Sequence, residues 1–196
     1  MATRLLDVLT QEGTHAVGNL NSKWAKHYAN GAILTGGNVD NFTIVELDGY
    51  DEEGNAKCKK LSDKGHRGYL VTTVEEEQLQ DFAGFHEGYR DFYNKEGEIV
   101  RLTILDDDVR FETSNFTNDT SNTDGVKKGN VAHFDVTTGK YIISKASAPH
   151  ADYEASALKF EVVDEDTDLG YAYGIPTIRL KVLANIITKI VEKPQV

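Results

Sequence analysis

Short β-branched and aromatic stretches recur along this chain, each cut off by glycine, aspartate or asparagine, and they leave few folds open to it. Phe42 to Leu47, Tyr69 to Val74, Ile99 to Leu105, Val109 to Phe111, Ala157 to Val163, Thr177 to Leu183 and Ile186 to Val191 have strand composition, which suits a pleated, half-buried surface. Asp48-Gly49, Glu53-Gly54-Asn55 and Glu96-Gly97 supply turn chemistry between strands. Asn130 to Val136 and Lys140 to Ser144 flank Thr137-Thr138-Gly139, the form of a hairpin with a glycine-bearing loop. Two windows read as short helices: Leu5, Leu6, Val8 and Leu9, and the run from Val74 to Phe82, where Glu75, Glu76 and Glu77 suit a helix N-terminus. The expected fold is mainly β, an antiparallel barrel or sandwich with one or two short helices and an N-terminal arm.

The arm is residues 1–38. It holds Trp24, the sole tryptophan, and leaves through a glycine-rich stretch at Gly31, Gly36 and Gly37. It is too short to bury a core of its own, so its ordering requires a surface to lie on, with Trp24 and Tyr28 as the anchoring side chains. Residues 39–196 form the β-rich body, as one barrel or as two lobes joined near 113–128, where Ser, Thr, Asn and Asp accumulate.

Charge narrows the partners. The formal net charge is −11, and the first thirty residues are nearly balanced, with three basic and two acidic side chains, so the remainder is the acidic part. Such a body repels phosphate backbones and anionic membranes, which argues against direct nucleic-acid or membrane contact. No stretch approaches the roughly 20 apolar residues that span a bilayer, and the N-terminus lacks the h-region of a secretory signal, so the expectation is a soluble chain made in the cytoplasm.

Residues able to do chemistry do not fall into a known catalytic pattern, and no enzyme activity and no cofactor are expected. The single cysteine, Cys58, excludes an internal disulfide. It lies among Lys57, Lys59 and Lys60, neighbours that lower a thiol pKa, in what reads as an exposed lysine-rich turn. Six histidines lack the i, i+4 spacing of a helix-borne zinc pair; His86-Glu87 begins such a motif, but Arg90 occupies the second position. Asp106-Asp107-Asp108, between two strand candidates, reads as a solvated hairpin turn. Asp164, Asp166 and Asp168 have the spacing that opens a calcium loop, yet Leu169 stands where the loop needs glycine and Ile175 where it needs a bidentate glutamate. No metal site is expected, and these three aspartates are the first place to look for one.

Two phrases carry a resemblance. Gly125-Val126-Lys127-Lys128-Gly129-Asn130-Val131, followed by Asp135 and Gly139-Lys140-Tyr141, resembles the strand-turn-strand phrasing of small β-rich head-decoration proteins of tailed bacteriophages. The run from Phe92 to Leu102 is similar, and together they cover about a third of the chain. The first forty residues and the total length exceed the smallest such proteins. The resemblance implies a structural virion protein on the capsid exterior, which decorates or cements the shell. Its partners would be the major capsid protein and neighbouring copies of itself in a homo-oligomer. A tail-tube or fibre subunit and a carbohydrate-binding protein are the alternatives.

Overall fold

The computed structural model describes residues 15–74, 92–165, 167 and 175–186. In chain order the strands are β1 (Gly18–Leu20), β2 (Lys26–His27), β3 (Ala32–Thr35), β4 (Ile44–Tyr50), β5 (Ala56–Lys60), β6 (Tyr69–Val71) and β7 (Ile99–Val100). They continue as β8 (Leu102–Ile104), β9 (Arg110–Thr113), β10 (Phe116–Asn118), β11 (Val131–Asp135), β12 (Lys140–Ser144), β13 (Leu158–Asp164) and β14 (Ile178–Asn185). Two seven-stranded sheets result, ordered β1-β9-β14-β13-β11-β12-β10 and β2-β8-β6-β4-β5-β3-β7. Pairing is antiparallel except for β3 with β5 and β10 with β12, and the described residues contain no helix.

The second sheet is buried on both faces, because it curls. Its terminal strand β7 pairs with β3, while β8, which follows β7 after Arg101 alone, pairs with β6 and with the other terminal strand β2, so one nearly continuous strand links the β7 end to the strand next to the opposite end. Closure encloses a core of Leu34, Val45, Cys58, Val71, Val100 and Leu102. On the opposite face Ile44 and Leu70 meet the first sheet's Phe111, Tyr141, Phe160 and Leu180 in the larger core. Adjacent residues such as Ile44 and Val45 therefore serve different cores, as the period-two alternation of a strand dictates.

Two polar contacts fix the sheets against each other. Tyr141, fully buried among Phe111, Phe134 and Phe160, donates its hydroxyl to the Phe42 carbonyl at 3.0 Å. Asn185, at the end of β14, donates its amide to the Gly68 carbonyl at 3.0 Å and to the Leu105 carbonyl at 3.3 Å. Gly68 has no room for a side chain: a Cβ there would lie 2.4 Å from both Ile44 and Leu158, one from each sheet.

Several expectations need correcting. Of the arm, residues 15–38 are built into the body: β1 pairs with β9, β2 with β8, and β3 with β5 and β7. These strands complete sheet edges whose backbone groups would otherwise lack partners. The run 113–128 is no linker, since β10 adds to β12 and the two sheets share the larger core. Asp48-Gly49 lies within β4 as an irregularity between Leu47 and Tyr50, with Gly49 at φ 80°, while the turn comes later at Gly54. The 137–139 hairpin forms as expected, with Asp135 opposite Lys140. The helix windows at 5–9 and 75–82 and the strand beyond Ile186 lie outside the described residues.

Candidate functional site

Two crossings between the sheets run side by side at one edge of the molecule. Residues 21–25 lead from β1 to β2, and residues 105–109 lead from β8 to β9. They are tied together: Asn21 donates its N–H to the Arg110 carbonyl at 2.9 Å, Arg110 donates its N–H to Ser22 Oγ at 2.6 Å, and Lys26 Nζ meets Asp106 at 2.7 Å. Asp108, whose φ is 68°, is held by Lys181 at 2.9 Å and by its own N–H to the Val182 carbonyl. Between the crossings lies an open groove of about 670 Å³ lined by Trp24, Lys26, Asp106, Asp107, Asp108 and Arg110. Trp24 is 82% exposed, although both ends of its loop are pinned.

That geometry suits binding. A large ring held in water by a fixed loop loses little freedom when a partner covers it, and buried tryptophans dominate interface energetics. The aspartates beside it form a turn, but one in a crossing between the sheets and not the expected hairpin, since β8 and β9 lie in different sheets, and the ammonium of Lys181 beside Asp108 holds its carboxyl below the usual range.

Tyr28 does not join Trp24. It packs against the second core, edge-on to Tyr69 with centroids 6.2 Å apart, and its hydroxyl lies 3.4 Å from that of Tyr50. It lines a separate hollow with His27, Val74 and Ile99. Of the calcium candidates, Asp164 faces Arg179 at 3.6 Å, and Asp166 and Asp168 lie outside the described residues, as do His86, Glu87 and Arg90. Cys58 is the clear reversal: it sits in the middle of β5 with no exposed surface, and burial, with the nearby Asp48 carboxylate, pushes its thiol up to about 12. The lysines flanking it alternate outward while the sulfur points into the core.

The fold also assembles a group that the spacing of the sequence conceals. His133, in the middle of β11, lies between Ala132 and Phe134 of the larger core and so faces the other side of its sheet. The loop after β12 folds over it, bringing the His150 ring into a stack with centroids 5.0 Å apart at 25°. Asp152 follows and pairs with the Lys64 ammonium, and the Lys64 carbonyl accepts the Ala157 N–H at 2.7 Å, which fastens the loop. His133 is 1% exposed, and neither ring nitrogen has a hydrogen-bond partner among the described residues. Burial, with His150 and Lys64 nearby, pushes its pKa down to about 4, although Asp152 and Asp135 oppose the shift. An unmatched buried polar group of this kind costs roughly 1–3 kcal/mol. Residues 17 apart on a strand and a loop have no spacing rule, so only the hairpin that returns β12 beside β11 could have pointed to the pair.

Fold and surface define an all-β protein of two packed seven-stranded sheets that presents a fixed, solvent-facing tryptophan at one edge. The chain belongs to the YonC prophage protein family, whose model, "YonC prophage protein", matches residues 11–183. It is 47% identical over 184 residues to the SPbeta prophage-derived uncharacterized protein YonC of Bacillus subtilis (strain 168), an alignment that covers 93% of this chain and 99% of that relative. No solved structure matches the chain.

Proposed function

We propose that this protein is a structural, non-enzymatic component of a phage particle, bound in many copies to the outside of the capsid through the Trp24 groove. The observation that carries the reading is Trp24 itself, 82% exposed on a loop pinned at both ends. Membership of a prophage protein family supports a viral role, and the net charge of −11 suits a position away from packaged DNA. Repetition on a symmetric lattice lets contacts of modest strength add up to firm attachment. The partners would be the coat protein and adjacent copies of this chain.

The test is add-back. Particles from a prophage lacking the gene are mixed with purified protein, and binding to heads is measured by co-sedimentation. The wild-type chain should saturate a fixed number of head sites, and Trp24→Ala should bind roughly 30-fold more weakly, equivalent to about 2 kcal/mol for a hot-spot tryptophan. Failure to bind heads contradicts the reading, and binding to tails instead selects a tail component. The groove favours one further reading: an aromatic ring beside the aspartates at 106–108 is also a surface for a carbohydrate, which binding to a glycan array would show.

A further inference from the structure

We propose that His133, His150 and Asp152 form a binding site for a divalent first-row transition-metal ion of the zinc type. One ligand atom from each residue already lies within 4.8 Å of the other two. Zinc bonds to nitrogen of about 2.0–2.1 Å put tetrahedral donors roughly 3.3 Å apart, so the loop has to close on β11 by about 1–2 Å. Imidazole and carboxylate are the donors that zinc and its neighbours accept.

The independent sign is His133. A buried imidazole ordinarily hands its N–H to one partner and its lone pair to another, yet both His133 nitrogens are without a partner among the described residues, beneath the His150 ring. Imidazole ligates in its neutral form. His150 Nδ1 accepts the Asp152 N–H at 3.2 Å and lies 3.8 Å from Asp152 Oδ2, so its lone pair is directed at that N–H, beside the carboxylate. An ion bound at Nδ1 has to displace that N–H.

Access and competition are both visible. A cavity of about 210 Å³ lined by Ser62, Asp63, Lys64, His133, Asp135 and Asp152 gives a hydrated ion a polar route in. The Lys64 ammonium occupies Asp152 and is the cation that a metal displaces; its long stem is 37% exposed and free to swing into water. The site rests on none of the reasoning about Trp24 or the capsid.

The experiment is a calorimetric zinc titration of the untagged full chain after treatment with a chelator, with Trp24→Ala as an unrelated control. One equivalent should bind, and the thermal midpoint should rise with zinc and fall back on chelation. His150→Ala and Asp152→Asn, both at partly exposed positions and checked for folding by circular dichroism, should each weaken binding by more than about 10-fold, since even outer-shell changes cost about 10–100-fold. Lys64→Met should bind more tightly, an outcome that a purely structural loop contact does not produce. In the wild-type chain the ring resonances of His133 and His150 should shift with zinc while those of the other histidines stay. Absence of saturable binding, unchanged affinity in His150→Ala and Asp152→Asn, or shifts confined to other histidines would overturn the proposal.

Discussion

Phe42 shows how much of this fold is decided by single side chains. Its φ is 58°, a left-handed conformation that a bulky residue adopts only when its surroundings insist. Three contacts do so: its N–H donates to the Val71 carbonyl at 2.8 Å, its carbonyl accepts the Tyr141 hydroxyl, and its ring fills the space over Gly18, where an added Cβ would lie 2.5 Å away. Tyr141→Phe keeps the aromatic packing but leaves that carbonyl unmatched, so chemical denaturation should show a loss of about 1–2 kcal/mol. Carboxylates at turns set a second property at this scale. The Asn55 side chain and the N–H groups of the 53–55 turn hold Asp51 below its usual range, Lys181 does the same for Asp108, and Lys145 for Asp124. A folded-state pKa below the unfolded value gives stability that is present above the usual carboxylate range and lost as pH falls through the folded value. The thermal midpoint should therefore decline between about pH 5 and pH 2, and added salt should blunt the part due to the two exposed lysine pairs.

Among the elements, β5 separates what the sequence disclosed from what it hid. Ala56-Lys57-Cys58-Lys59 alternates buried and outward residues as a strand should before the exposed Lys60 ends it, but three lysines in five positions look like a turn when charge is read before period. Only the barrel around it makes the cysteine inert. A thiol reagent should leave Cys58 unmodified in the native chain, with labelling appearing at the rate of unfolding; rapid native-state labelling would mean that β5 is not where it is placed here. The strands with sustained β-branched runs, β4, β6, β11 to β14 and the β7–β8 pair, were legible because local composition and tertiary demand agree in them. The edge strands β1, β2 and β10 have two or three residues each and little apolar pattern, and their partners, not their composition, make them strands. The same limit applies to function. Trp24 stood out as the sole tryptophan, whereas its groove with residues 106–108 and the stack of His133 on His150 exist only because distant segments are brought together.

At the scale of the whole molecule, two sheets share one core, and the inner sheet closes around a second. That construction buries the second sheet on both faces and leaves Trp24 exposed on the crossings at one edge, where the proposed contact would be made. The proposed place on a particle would call for such a body, since a shell component has to hold its contact surface in one orientation in every copy. Quantitative mass spectrometry of purified heads and tails, separated after induction of the prophage, tests this most directly. The protein should be found in the head fraction in many copies per particle, in fixed ratio to the coat protein. Its absence from purified particles, with the chain left in the host lysate, would contradict a structural role in the virion.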